Sequence, residues 1–328
     1  MDLLLRLLSL MFRGTALMLG LAGTVLALAS LGGAFSDQLD ALTHFAPFWL
    51  AMGLAAVVLG SVFARGDERR AMVGLGLIAV VACSVLMGPD LLAAARAKRL
   101  AARADDLKII QFNVWHDNRT PGKATQWLLD QDADVVVLVE GGGRSSPVVK
   151  AMKAYYPFLV SCAGKRVCDT WIFSKKRMIA RAGLYEEGRE LPGAWATLAD
   201  PKGAFTVAGV HYVWPVPAGP QQQQVKRMTD AIARFDKSST IVTGDFNSTP
   251  WSFTMKRQDK AFGLERRTHA MASWPSGKFS RIGNAPAPFL PIDQVYAGSS
   301  WKTVSVERGP ALGSDHRPVI VRLRRIAP

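Results

Sequence analysis

Charge is missing from three long stretches of the first ninety residues. Gly14–Phe35, Phe45–Ala64 and Ala71–Pro89 run 22, 20 and 19 residues without Asp, Glu, Lys or Arg, and a helix of that length crosses the hydrocarbon core of a bilayer. Three in succession exclude a wholly soluble chain and predict three membrane spans. A cleaved signal peptide competes only for the first, with Arg6 and Arg13 as its basic start and Ala27–Leu28–Ala29 as its cleavage site, and the two further runs stand against it. Lys and Arg are also absent from Ser36–His44, whereas Arg65, Arg69 and Arg70 lie between the second and third runs. Basic loops stay inside, so the amino terminus is predicted inside and everything after Pro89 outside. Arg96, Lys98, Arg99 and Arg103, just beyond the third run, pull the other way. The GLGLIA run at Gly74 lacks the dinucleotide-binding spacing and lies within a predicted span, which excludes a nucleotide loop. No internal repeat is evident, and Gln221–Gln224 is too short for a low-complexity segment. Cysteine is scarce. Of the three, Cys83 falls in the third span, while Cys162 and Cys168 flank five residues of a polar region. They are spaced for a local disulfide, which would favour the oxidising side, or remain two free thiols.

What remains is a basic, mixed chain. The protein carries a net charge of +14, and residues 105–328 hold 31 basic against 20 acidic side chains, a net of +11. Such a surface suits anionic headgroups or phosphates and suits nucleic acid equally. The expected organisation is a transmembrane region over residues 1–90, a polar, alanine-rich stem over 91–106 that is helical by propensity, and a soluble domain over 107–328. In that domain strand-like runs alternate with helical ones. Lys108–Val114, Asp134–Glu140, Thr170–Ser174, Ala194–Ala199, Phe205–His211, Thr240–Asp245, Ile292–Ala297 and Pro318–Leu323 read as strands, several buried on both faces. Pro220–Phe235 reads as a helix, with Val225, Met228, Ile232 and Phe235 on one stripe. Gly263–Pro291 has little periodicity and reads as a long loop, a candidate substrate lip.

Polar residues recur where the apolar runs end: Asn113, Glu140, His211, Asp245 with Asn247, Asp293, and Asp315 with His316. Neighbouring strand ends converge, so these side chains can share one pocket. Their chemistry suits metal-assisted phosphoryl transfer. Glu140, Asp315 and the Asn113 carbonyl are oxygen donors for a hard divalent cation. Asp245 can align a water, and His316 backed by Asp293 can stabilise charge gathering on phosphate oxygens.

The blocks QFNVW, VLVE, GVH, TGDFN, PIDQV and GSDHRP, in that order from Leu107 to the carboxyl terminus, resemble the endonuclease/exonuclease/phosphatase superfamily, in its membrane-anchored bacterial form. The resemblance implies two facing β-sheets with helices outside, a four-layer α/β/β/α sandwich preceded here by three transmembrane helices. It implies a phosphoesterase using Mg²⁺ or Mn²⁺, with Glu140 the principal metal ligand helped by Asn113 and Asp315. By the same resemblance Asp245 and Asn247 surround the attacking water, His211 faces the phosphate or leaving group, and His316 pairs with Asp293. Val139 stands where many members have Gln, and Gly141–Gly143 follow Glu140; the wordings typical of inositol polyphosphate phosphatases and abasic-site endonucleases are absent. The expected enzyme is therefore membrane-tethered, multi-pass in the inner membrane with an extracytoplasmic catalytic domain, and acts on a lipid-linked or membrane-surface phosphate. The bilayer and a phosphorylated substrate are its expected partners; no protein partner is expected. An extracytoplasmic nuclease acting on DNA or RNA is the second reading, and a catalytically inactive membrane scaffold the third. Arg144, Arg281 and Arg317 are phosphate-clamp candidates, and His116 reads as peripheral.

Overall fold

The structure, a computed structural model, describes residues 2–162, 168–185, 191–279, 283–284 and 287–326. The chain divides into two compact units, Met1–Leu92 with Pro250–Lys256, and Ala93–Thr249 with Arg257–Pro328.

The first unit is helical: α1 (Asp2–Leu31), the short α2 (Asp37–Asp40), α3 (Ala46–Phe63) and most of α4 (Gly66–Arg96). Three stretches, Leu3–Ala34, Asp37–Phe63 and Gly66–Arg96, are long and apolar enough to cross a membrane. Without water between them, such helices gain from close backbone approach at small residues. Gly53 and Gly76 provide it: a β-carbon on either would lie 2.8 or 2.6 Å from the other's carbonyl oxygen. The Thr24 hydroxyl of α1 donates to the Leu75 carbonyl of α4 at 2.6 Å. Pro250–Lys256 belongs to this unit through specific polar contacts. The Asp40 carboxylate accepts from the backbone N–H groups of Phe253 and Thr254 at 2.8 and 2.7 Å, and the Trp251 indole donates to the Thr43 carbonyl at 2.8 Å. The stem is helical only through Arg96; beyond it the helix does not continue, and the Leu100 N–H donates to the Val304 carbonyl. That backbone bond outweighs the helix propensity of the alanines.

The second unit is a mixed α/β sandwich. Sheet one has the order β13 (Trp301–Arg308), β14 (Val319–Arg325), β1 (Leu107–Asn113), β2 (Val135–Val139), β4 (Trp171–Ser174), β3 (Phe158–Ser161). Sheet two runs β5 (Met178–Gly183), β6 (Gly193–Leu198), β7 (Phe205–His211), β8 (Ile241–Asp245), β12 (Asp293–Ala297), β9 (Glu265–Arg266). A two-stranded ribbon, β10 (Lys278–Phe279) with β11 (Gly283–Asn284), breaks the predicted loop. Each sheet has one parallel pair near its centre, β1 with β2 and β7 with β8. Side chains alternate along a strand, and the packing follows. Ile109, Val135 and Val137 join Val207, Ile241 and Val295 between the sheets, while Ile110, Phe112, Val136 and Leu138 pack under α5 (Pro121–Gln131) and α6 (Ser146–Tyr155). Burial on both faces explains the unbroken run of Val and Leu in β2, each such side chain stabilising by about 1.5–3 kcal/mol. On sheet two lie α7 (Ala218–Ile232), which buries Met228 and Ile232, and α8 (Phe253–Phe262), whose Gln258 bonds the Tyr212 hydroxyl. The Gln tract has a structural use: Gln224 accepts from the Val213 N–H, and Gln221 donates to the Val213 and Phe246 carbonyls, fixing the exits of β7 and β8.

Cys162 and Cys168 form a disulfide just beyond β3. Between β7 and β8 the chains approach so closely at Gly244 that a β-carbon there would lie 1.8 Å from the Val210 carbonyl oxygen. Gly244→Ala is expected to destabilise the protein by about 1–3 kcal/mol through forced displacement of this parallel pair, measured as a lower denaturant midpoint.

Candidate active site

The site sits where β1, β2, β7, β8 and β12 place polar residues at their ends. Register sets this: Asn113 pairs with Val139, one residue before Glu140, while Asp245 lies opposite both His211 and Asp293. Asn113 is the hub. Its Nδ2 donates to Glu140 Oε1 at 2.9 Å and to Asp245 Oδ2 at 3.0 Å, and lies 3.4 Å from His316 Nε2. His316 Nδ1 bonds Asp293 Oδ2 at 2.8 Å, and Gln111 donates to the other Asp293 oxygen at 2.9 Å. His211 Nε2 is 3.7 Å from Glu140 and 3.9 Å from Asp245. The Asn247 N–H donates to Asp245 Oδ1 at 2.8 Å, but its carboxamide donates to the Tyr212 carbonyl at 2.7 Å and so braces the loop. Asp315 stands at the rim, accepting from the Trp274 indole at 3.2 Å. The eight residues chosen at the strand ends thus gather in one place.

Their exits from the sheets are strained. Trp115, Glu140 and Asn247 have φ of 57°, 56° and 48°, the left-handed region that side chains other than glycine rarely adopt. Such strain persists only where surrounding structure over-determines it. Here the Trp115 N–H is tied to Asn113 Oδ1 at 2.9 Å, and Glu140 is held from both of its oxygens.

The electrostatics differ residue by residue. Burial pushes the Glu140 carboxyl up, but His211 and hydrogen bonds from Asn113 and His116 outweigh it and bring it down to about 2. Burial raises Asp245 to about 6 against the pull of His316. Burial disfavours His316⁺, yet Asp293 and Asp245 overcome this and lift the imidazole to about 10. Burial also raises Asp315, with Glu140 adding to the shift.

These residues fit a divalent cation. The Asp315 Oδ1 atom is buried with no hydrogen-bond partner among the described residues, an arrangement that ordinarily costs about 1–3 kcal/mol unless something absent from the protein satisfies it. Asp245, Asp293 and His316 also bring ligand atoms within 4.8 Å of one another. A cation between Asp293 and His316 would have to replace their 2.8 Å hydrogen bond, whereas Glu140 and Asp315 offer carboxyl oxygens without that loss.

Two residues were misjudged or missed in the sequence. His116 is not peripheral: its Nδ1 lies 2.9 Å from Glu140 Oε2, and that hydrogen bond raises its pKa. Asp169 is the second. Its carbonyl accepts from the Gly141 N–H, its carboxyl is raised by burial, and its charge interacts with His211 and Glu140. Gly141–Gly142 beside an acid was the available signal. Of the phosphate-clamp candidates, Arg144 pairs with Asp117 and Arg317 donates to Ser276, while Arg281 lies outside the described residues.

Comparison with known proteins agrees with this architecture. A functionally unknown conserved protein from Enterococcus faecalis V583 superposes with a TM-score of 0.53 at 16% identity, covering 67% of this chain and 100% of that one. The human Nocturnin catalytic domain gives 0.51 at 14% identity, over 67% and 95% of the two chains. Sphingomyelinase C from Streptomyces griseocarneus gives 0.50 at 14%, over 67% and 99%. The curated proteins gave no match. The Endonuclease/Exonuclease/phosphatase family model matches residues 110–316, more than half of the chain and every residue from Asn113 to His316 assigned to the site, and the chain therefore belongs to that family and carries its hydrolase fold.

Proposed function

We propose that the protein is a membrane-tethered, divalent-metal-dependent phosphoesterase hydrolysing a lipid-linked or membrane-surface phosphate, a polyprenyl pyrophosphate among the candidates. The observation that carries this is the convergence of Glu140, Asp245 and His316 on the Asn113 amide. Glu140 and Asp315, with the Asn113 side-chain carbonyl, would hold Mg²⁺ or Mn²⁺, which would supply Lewis-acid withdrawal of charge from a phosphate oxygen. Asp245, seated by the Asn247 N–H, takes the proton of the attacking water. His316, charged and braced by Asp293, faces the negative charge gathering on the phosphoryl oxygens, and His211 faces the phosphate or leaving group.

An apolar lip supports the lipid class. Val213, Trp214 and Val216, directly after His211, are 39%, 59% and 64% exposed. The Trp214 ring meets Trp274 edge-on at 5.8 Å, and Trp274 in turn bonds Asp315. An exposed tryptophan flanked by exposed valines beside a phosphate site favours a substrate with an apolar part. The disulfide supports an extracytoplasmic catalytic unit, since such bonds persist on the oxidising side. Three helices long and apolar enough to cross a membrane support the multi-pass, inner-membrane part of this reading.

The test is phosphate release by the full-length protein in neutral detergent across lipid phosphates, soluble phosphoesters and DNA, with and without chelator. Chelation is expected to abolish release, with Mg²⁺ or Mn²⁺ restoring it, and lipid phosphates are expected to be the preferred substrates. Preference for DNA, with steep salt dependence, would replace the lipid reading by the nuclease one.

A further inference from the structure

Two of the basic residues that trail the third apolar helix, Lys98 and Arg99, line a cavity of their own. Among the described residues, a space of about 250 Å³ is lined by Ala97, Lys98 and Arg99 from the stem, Arg267 after β9, and Thr303 and Ser305 of β13. No carboxylate lines it. Glu265 and Glu307 each pair with a lining residue, the first 2.7 Å from Arg267 Nη1 and the second 4.0 Å from Arg99. Arg267 is only 7% exposed. Its Nη2 donates to the Ala297, Gly298 and Trp301 carbonyls, and Nη1 to the Thr303 hydroxyl, but Nε is buried with no partner. A buried guanidinium N–H left unpaired costs free energy unless an acceptor from outside meets it. Guanidinium, ammonium and hydroxyl groups around a space too small for a drug-sized molecule match the oxygens of a phosphate group.

The covalent position narrows the source. Lys98 and Arg99 lie two and three residues beyond Arg96, where the last of the three membrane-compatible helices ends. Three residues of chain reach at most about 10 Å, so both side chains stay near a bilayer surface if that helix crosses it. Basic residues at this place are drawn to anionic lipid.

We propose that this cavity binds the phosphate of an anionic phospholipid headgroup, separately from the catalytic site. The proposal rests on the membrane-tethered reading but not on the identity of the substrate. It gives Lys98 and Arg99 a use on the side of the membrane where the loop-charge rule would leave them unexplained.

The experiment uses full-length Glu140→Gln protein in neutral detergent, so that no added lipid is turned over. Thermal stability is followed while short-chain phosphatidylglycerol, short-chain phosphatidylcholine or inorganic phosphate is added. Phosphatidylglycerol is expected to raise Tm saturably, and the other two to do so weakly or not at all. Lys98→Gln/Arg99→Gln, which alters exposed side chains only, is expected to weaken the apparent phosphatidylglycerol affinity roughly 10- to 30-fold. Arg267→Lys, which keeps the charge but loses the planar donor fork, is expected to weaken it as well. The same Lys98/Arg99 variant with Glu140 intact should hydrolyse a soluble phosphoester at the unaltered rate, which separates this site from the catalytic one. An equal response to phosphatidylcholine or to inorganic phosphate, no response to phosphatidylglycerol, or an unchanged response in the Lys98/Arg99 variant would each overturn the proposal.

Discussion

Glu140→Gln is expected to lower kcat/KM about 1,000-fold while leaving the protein folded. The substitution preserves size but not charge. Glu140 accepts hydrogen bonds from Asn113 on one oxygen and from the His116 backbone N–H on the other, and His116 Nδ1 adds a third contact. A carboxamide can accept at one end only, so its NH₂ group would face a donor. At pH 7 the native carboxyl, brought to about 2, is fully ionised. The variant therefore removes a whole negative charge from the place assigned to the cation, which is the scale of loss seen when a transition-state charge stabiliser is deleted. Initial rates measured against Mg²⁺ and Mn²⁺ concentration check it: the metal activation curve should move to much higher concentration or vanish. If the protein's biological function is untouched both in this variant and in His316→Ala, the scaffold reading displaces the enzymatic one.

Asp293→Asn is the second change with a large expected effect, a fall in kcat of roughly 100- to 10,000-fold with little change in KM. The amide can keep a hydrogen bond to His316 Nδ1 but withdraws the charge that steadies the imidazolium. The Gln111 Nε2 donor, now at 2.9 Å from an Asp293 oxygen, must also find an acceptor in Asn. A pH signature accompanies the loss. The folded His316 titrates at about 10 against an ordinary value of 6.5, so protonated His316 adds stability that is fully present below pH 6.5 and fades as pH rises through 10. With Asp293 neutralised the folded value drops towards the ordinary one and this contribution shrinks. Melting temperatures in chelator should thus fall between pH 6.5 and 10 in the native protein, and fall less over the same interval in Asp293→Asn. Identical profiles would mean that Asp293 does not hold the proton on His316.

The catalytic strands were legible because burial on two faces demands unbroken Val, Ile and Leu. Those runs then stop abruptly at Asn113, Glu140, His211 and Asp245. Exposed elements lack that contrast. β5, from Met178 to Gly183, is exposed along most of its length at the edge of sheet two and reads as nothing in particular. The helices Pro121–Gln131 and Ser146–Tyr155 bury only two and three residues each, too few to mark a stripe. Within the site, the eight strand-end residues were identified from position and wording together. Asp169 was not, because it lies in the short stretch between Cys168 and β4 rather than at the end of an apolar run. His116 was set aside because its approach to Glu140 depends on the left-handed turn at Trp115, which no spacing rule reveals.

The link between Asp40 and the start of α8 bears on how the enzyme can be handled. A fragment beginning after the third helix would keep every side chain assigned to hydrolysis yet lose the carboxylate that caps Phe253 and Thr254, as well as the carbonyl that receives the Trp251 indole. Trp251, 3% exposed in the intact chain, would be left bare four residues downstream of Asn247. Soluble truncations should therefore aggregate or run slow for reasons unconnected with their chemistry, and poor turnover from such a fragment would be a property of the cut.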